Sequence, residues 1–466
     1  MPSTVMLIPS AKRLMASLRN VGYDPPTAVA DLVDNSVAAQ ATEVAIDVVF
    51  GGTSSWIRVA DNGLGMTEDE LDEALRFGTR RTYAPADLGK FGLGLKTASL
   101  SQCRRMTVAT RRPHSQQVIV RQWDLDHVED TDAWEATDPA LDGVDGHWIA
   151  PLERSHGTVI VWDKLDRVSH FKAPDGGKAR NALTRLCGDI AAHLAMVFHR
   201  FLAGESRRRL PLAIRVQGEL LPPWDPFARS EAATQDFGGQ SLRFAHEGQL
   251  HAVIVRPYIL PNEAMFSSRE ARERAAGPNK WNHQQGFYVY RNDRLIQSGG
   301  WNRLRIPDEH MKLARIAVDF GSSSDGAFCV DVAKMRVVLP PALRNDLQAI
   351  ASGVAQRANA SYRRRAPDMS ADRPPSVDPW RQARLEAAPV GPRESGWVAS
   401  ADDFRTLGDH GGVGVLAQTV VEVIWRELAD VPALRARVLR RLSDAHPCLN
   451  AVASRGGPAS ERDFHG

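Results

Sequence analysis

Asp31-Leu-Val-Asp-Asn-Ser-Val-Ala-Ala-Gln40, Asp61-Asn-Gly-Leu-Gly-Met66 and Leu88-Gly-Lys-Phe-Gly-Leu-Gly-Leu-Lys-Thr-Ala-Ser99 are the three pieces on which the reading of this chain turns. Around the first, Val29, Leu32, Val33, Ser36 and Val37 form the stripe of a helix packed on one side. Asp31 and Asn35 stand four apart, so both project from one face of that helix. A carboxylate beside an amide oxygen suits a water and a hard cation, since Mg²⁺ takes oxygen ligands and keeps several waters. The same pair also fits an ordinary solvated helix face. The second piece follows the strand-like run Trp56-Ile-Arg-Val-Ala60, and its two glycines let a ligand approach the backbone closely; it also fits a plain turn. The third is glycine-rich, then basic, then helix-like, the way a helix start presents free N–H groups to phosphate. Gly89 and Gly94 have the spacing of a P-loop, but Leu95 stands where its lysine belongs, which disfavours a P-loop NTPase. The order and spacing of all three pieces favour a nucleotide pocket.

With His156-Gly-Thr-Val-Ile160 added, the series resembles the Bergerat-type ATP-binding fold of gyrase, heat-shock chaperones, histidine kinases and MutL (GHKL). GKFGLGLKTAS is most similar to the MORC and MutL branches. The resemblance implies that Asn35 holds Mg²⁺, that Asp61 accepts a hydrogen bond from the adenine amino group, and that Thr158 joins that network. It implies that Gly65 lines the base, that Gly92 and Gly94 cradle the phosphates, and that Gly63, Met66, Gly89, Lys90, Phe91, Leu93, Lys96 and Thr97 also belong to the ATP-binding site. Asp31 is then the catalytic acid–base group. Residues 66–88 form a lid, with Arg80 and Arg81 expected to face solvent. Two positions depart from the family: it usually carries Glu where this chain has Asp31, and an acidic residue where this chain has Ala38.

The 466 residues are enough for more than one core, and 43% of them are hydrophobic with a net charge of +2. Such a near-neutral balance gives no global argument for nucleic acid; a DNA contact needs a local patch. Cys103, Cys187, Cys329 and Cys448 lie far apart without paired histidines, against zinc and a disulfide framework. No apolar run reaches membrane-spanning length and MPSTVMLIPSAKR lacks the apolar core of a signal peptide, so a cytoplasmic protein without a membrane partner is expected.

In order, a short helix pattern (Leu14, Met15, Leu18) stops at Gly22 and Pro25-Pro26. A sensor kinase, whose dimerising hairpin with a phospho-acceptor His would precede the Asp31 helix, is therefore not expected. Strands are expected at 44–50, 56–60, 106–110, 118–123 and 158–162, giving an α/β sandwich with helices on one face up to Asp166. A helix over 181–204 leads to a strand at 212–216, and His193 and His199, six apart, read as core and surface histidines rather than a metal pair. Further strands are expected at 251–260, 286–295, 314–320 and 327–333. This stretch resembles the ribosomal-protein-like transducer domain of GHKL proteins, and by that resemblance Lys334 reaches into the ATP pocket as a second catalytic group; a solvated strand-end lysine is the alternative. A helix over 341–365 precedes a Pro- and Arg-rich linker without periodicity, and an amphipathic pattern returns over 413–442.

The expected class is therefore α+β: an ATP-binding domain over 1–166, a transducer over 167–365, a linker over 366–397 and a small helical tail over 398–466. The expected function is Mg-dependent ATP hydrolysis by a clamp that forms an ATP-dependent homodimer, serving DNA repair, restriction-modification or phage defence with DNA or a DNA-processing protein as partner. The alternatives are a nucleotide-gated binding module with little hydrolysis, or a chaperone-like ATPase.

Overall fold

Two mixed sheets carry the chain, and the computed structural model describes residues 8–363 except 21, 79–93, 169–170, 209 and 331–336. The described residues all lie in the first of the two units into which the chain divides, 1–388 and 389–466. The expected linker over 366–397 and tail over 398–466 fall outside them.

Helix α1 (Ala11–Leu18) precedes α2 (Pro25–Ala38), whose first two residues are the Pro25-Pro26 pair expected to stop the preceding helix pattern. The Asp24 side chain accepts from the Thr27 N–H, and Pro25 and Pro26 occupy the first turn, where a missing N–H costs no helical bond. Strands β1 (Glu43–Val49) and β2 (Trp56–Asp61) pair antiparallel with Val44 opposite Asp61. Helix α3 (Glu68–Leu75) opens with a capping box between Thr67 and Glu70. After α4 (Gly94–Leu100) come β3 (Arg105–Arg111), β4 (Ile119–Asp124), α5 (Leu125–Thr131), α6 (Gly146–Arg154) and β5 (Gly157–Asp163). Helices α7 (Gly177–Val197) and α8 (His199–Leu202) then lead to β6 (Ala213–Val216) and β7 (Glu219–Leu220).

The first sheet runs β4-β3-β5-β2-β1-β6-β7, with β1 and β6 parallel. It does not stop at Asp166: β6 extends it beside β1, and α7 packs on α2 over it. One face buries Ile46, Ile57, Val59, Met106, Ile160 and Trp162 under α2 and α7. The other buries Ala60, Val120, Val159 and Val161 against Leu152 of α6. Helices therefore cover part of both faces rather than one, which is why every residue of β5 is buried.

The second sheet is built from β8 (Gln235–Asp236), β9 (Gln240–His246), β10 (Gln249–Ile259), β11 (Gly286–Arg291), β12 (Arg294–Ser298) and β13 (Ala314–Phe320). Its order is β12-β11-β13-β10-β8, with β9 also on β10. Helices α9 (Arg269–Ala276) and α10 (Lys280–His283) lie between β10 and β11, and α11 (Arg344–Arg363) follows. Leu347, Ile350, Ala351 and Val354 of α11 pack on Val255, Val289, Ile316 and Val318. On the opposite face Tyr258, Tyr288, Tyr290 and Leu295 meet Phe227 and Met196 of α7, so the second sheet is seated on the long helix of the first. The stretch expected as one strand over 286–295 is a hairpin: Asn292 and Asp293 both take positive φ, 48° and 68°, the conformation of a two-residue turn that suits the strand twist. The strand expected at 327–333 is absent over 327–330, where the chain turns, and its remainder lies outside the described residues. No helix among the described residues is long and apolar enough to cross a membrane.

Leu32 is 1% exposed in the first core whereas Leu250 on β10 is 71% exposed. Leu32→Ala should lower the unfolding free energy in urea by about 2–5 kcal/mol, and Leu250→Ala should change it by less than about 0.5 kcal/mol.

Candidate functional site

The second sequence piece begins at the last residue of β2, and there the Asp61 carboxylate is turned inward. Its Oδ2 accepts from Ser36 Oγ at 2.9 Å, one helical turn past Leu32. Its Oδ1 accepts from the Gly63 N–H at 2.8 Å and from the Thr158 N–H at 3.3 Å. Burial pushes the carboxyl up, and the donors from Gly63, Ser36 and Thr158 together with the charge of His156 oppose that rise. An ionised carboxylate has about four acceptor sites, so three donors leave capacity for one more. That is the condition a base with an exocyclic amino group requires. The turn that follows is held against β3 and β5: Met66 donates its N–H to Thr110 Oγ1 at 2.9 Å, Thr110 Oγ1 meets Thr158 Oγ1 at 3.2 Å, and His156 Nδ1 lies 2.6 Å from the Gly63 carbonyl oxygen. Gly65 takes φ +61°, and a Cβ there would fall 2.2 Å from the Arg111 carbonyl oxygen, so only glycine lets the turn lie this close to β3.

The first piece supplies the second acid. Asp31 is buried on α2, and its Oδ2 accepts from Tyr23 Oη at 2.8 Å. Its Oδ1 stands 3.5 Å from Arg294 Nη2. Arg294 Nε reaches Asp34 at 2.8 Å, and the three side chains are 3%, 2% and 0% exposed for Arg294, Asp31 and Asp34. Gly94, the first residue of α4, lies against the same acid: a Cβ there would come within 3.3 Å of Asp31 Oδ2. The start of α4, within the third piece, and the acid of the first thus share one spot. Asn35, a turn further along α2, is exposed.

Lys96 and Thr97 are both buried in α4. The Lys96 ammonium donates to the carbonyls of Ala74 and Arg76, each at 2.8 Å, at the C-terminal end of α3. There it binds carbonyls that helix geometry leaves without a partner. Burial pulls its pKa from 10.5 down to about 8. The hydroxyl of Thr97 bonds Tyr23. Gly89, Lys90, Phe91, Gly92, Leu93, Lys334, Arg80 and Arg81 lie outside the described residues. Asp31, Asn35, Asp61, Gly63, Gly65, Met66, Gly94 and Thr158 gather along the edge where α2, α4 and the ends of β2 and β5 meet. Sequence reasoning missed Tyr23 and Arg294. Tyr23 sits just before the Asp24 cap, and Arg294 is 260 residues from Asp34, beyond any local pattern. His193 and His199 do not share a site: His199 Nε2 is 2.9 Å from Tyr290 Oη inside the seam between the sheets, and burial pushes its pKa well down. Among the described residues no cluster of His, Cys, Asp and Glu forms a metal cage.

A family model described as histidine kinase-, DNA gyrase B-, and HSP90-like ATPase matches residues 23–158, the stretch from Tyr23 to Thr158. The DNA mismatch repair protein MutL of Pasteurella multocida (strain Pm70) is 41% identical over 97 residues, 20% of this chain and 15% of that protein. That of Petrotoga mobilis is 36% identical over 97 residues, 20% of this chain and 16% of its own length. That of Shewanella denitrificans is 37% identical over 117 residues, 24% of this chain and 15% of its own length. The chain spans about a sixth of the length of each of these relatives.

The buried ammonium generates a pH test. With its folded pKa near 8 and its unfolded value at 10.5, the unfolded chain binds more protons between those values, so stability from this group rises with pH across that window. Between about pH 7.5 and 9.5 wild type should gain roughly 2 kcal/mol over Lys96→Met in urea unfolding. A difference that does not change with pH would contradict the burial of a titrating ammonium.

Proposed function

Residues 23–158 belong to the gyrase, heat-shock chaperone, histidine kinase and MutL (GHKL) superfamily, and on that premise we propose that this chain binds ATP with Mg²⁺, hydrolyses it, and works as a nucleotide-gated homodimeric clamp in a DNA-associated process. The observation that carries the reading is the Asp61 carboxylate, partly buried, oriented by three donors and with acceptor capacity left for the adenine amino group. Gly63, Gly65 and Met66 shape the wall beside it, and Thr158 holds it from β5. Gly94, with Gly89, Lys90, Phe91, Gly92 and Leu93 before it, takes the phosphates.

Asn35, exposed on α2, would offer one hard oxygen to a Mg²⁺, a cation that takes oxygen ligands and keeps several waters. The metal when bound neutralises phosphate charge. Asp31 then orients the attacking water and takes its proton, and Lys334 stabilises charge developing at the γ-phosphate. Lys96 works on the lid side, tying α4 to the end of α3. In this reading residues 1–166, completed by α7 and β6, are the ATP-binding domain and the second sheet with α11 is the transducer. The MutL relatives, by their printed name DNA mismatch repair proteins, are the ground for a DNA-associated role with DNA or a DNA-processing protein as partner.

One observation favours the second reading, a nucleotide-gated module that hardly hydrolyses. Both oxygens of Asp31 already face donors, Tyr23 and Arg294, and Asp is one methylene shorter than Glu. Turnover separates the two.

Titration with a labelled ATP analogue, single-turnover hydrolysis and sedimentation on the same preparations test the proposal. Asp61→Asn should weaken ATP binding by about tenfold or more, because the amide lacks the charge-assisted bond. Asp31→Asn should bind ATP and dimerise as wild type does while losing about a hundredfold or more in turnover. Asp31→Glu should stay active. Unchanged affinity in Asp61→Asn sinks the pocket assignment, wild-type turnover in Asp31→Asn removes the acid, and equal mass with and without nucleotide removes the clamp.

A further inference from the structure

Arg294 opens β12 directly after the Asn292–Asp293 turn, and its guanidinium leaves the second sheet to enter the first. Nε meets Asp34 at 2.8 Å and Nη2 stands 3.5 Å from Asp31, while Nη1 donates to the Leu295 carbonyl oxygen at 3.3 Å. The head lies 5.9 Å from the Phe198 ring. Tyr23 holds the far side of Asp31, and Gly94 lies against that same Oδ2. Two carboxylates therefore lean on one guanidinium in a nearly solvent-free seam, where removing a charged partner is costly.

The hairpin that carries Arg294 is itself fixed. The Asp293 carboxylate accepts from the Arg207 N–H at 2.9 Å and pairs with Arg200 at 3.4 Å. Arg200 also pairs with Asp319 of β13 and stacks 3.5 Å over the Tyr290 ring. A shift of the second sheet along α7 thus moves the guanidinium, and with it one side of Asp31. Asp61, by contrast, takes its hydrogen bonds from α2, from its own turn and from β5, all in the first sheet layer.

We propose that Arg294 is a positioning residue that makes the orientation of Asp31 depend on how the second sheet is seated, so that this sheet controls turnover without controlling ATP affinity. The inference rests on the reading of Asp31 as the acid of an ATP site. Asp34 is the anchor: it fixes the guanidinium through Nε, and the second arm of the fork then faces Asp31. A lysine cannot present both arms, because a point ammonium lacks the planar fork.

The test compares full-length wild type, Arg294→Lys, Arg294→Met and Asp34→Asn by ATP-analogue affinity, single-turnover rate and thermal melting. Arg294→Lys and Asp34→Asn should each keep ATP affinity within about threefold and lose about tenfold or more in rate, the size expected when a reacting group is displaced by a fraction of an ångström to an ångström. Arg294→Met should lose more than Arg294→Lys. The double variant Arg294→Lys/Asp34→Asn should be no slower than the slower single, since both changes release the same fork. Folded variants with rates within about twofold of wild type, or affinities that fall in parallel with the rates, overturn the proposal and leave Arg294 a purely structural tie. If Arg294→Met does not fold, the other two variants decide. Wild type that binds no ATP overturns the pocket reading itself, and wild type that binds ATP without turnover overturns the control of turnover while leaving the pocket standing.

Discussion

Helix α2 has to do two incompatible things, and the rest of the structure answers to that constraint. Its apolar residues, Ala28, Val29, Leu32 and Val33, must be buried for the first sheet to have a core. The same burial takes the carboxylates of Asp31 and Asp34 out of water, which is costly unless each finds a partner. Tyr23 satisfies one oxygen from the residue just before the helix cap, and Arg294 comes from the other sheet to meet both acids. The two sheets are thus joined by a requirement of α2 as well as by the aromatic seam of Phe227, Tyr258, Tyr288 and Tyr290 on Met196.

The same helix also fixes the carboxylate at the end of β2. Ser36, one position past Asn35, turns inward and bonds Asp61, which fixes the carboxylate at the end of β2. Antiparallel pairing of β2 with β5 puts Thr158 opposite Asp61, so strand register alone delivers the Thr158 N–H. A slip of that register by one residue would turn Asp61 to the other face of the sheet. The polar chemistry is a by-product of how the core residues Ile57, Val59, Ile160 and Trp162 align.

Much of this is legible in the sequence because it is local. The α2 stripe, the DNGLGM turn after a strand and the spacing of Asp31 and Asn35 all follow from periodicity within a few residues. The limits are equally physical. Arg294 satisfies a charge 260 residues away, and nothing in its own neighbourhood announces a buried role. Gly286 to Leu295 reads as one apolar strand because Asn292 and Asp293 interrupt it by only two residues, although such a pair is a hairpin turn. The extent of the first sheet past Asp166 was hidden because β6 joins β1 in parallel across a long connection, and parallel partners share no adjacent sequence. Helix α6 packs only Leu152, with Trp148 and Ile149 partly buried, so its pattern is too short to separate from a loop.

In the function proposed for this chain, the carboxylate at the end of β2 reads the amino group of adenine. Equilibrium titration of the wild-type chain with ATP and with inosine triphosphate, which carries a carbonyl oxygen in place of that amino group, tests it without altering the protein. Inosine triphosphate should bind about tenfold or more weakly than ATP, since an oxygen facing the partly buried Asp61 carboxylate replaces a donor with a second acceptor. Equal affinity for the two nucleotides would contradict it.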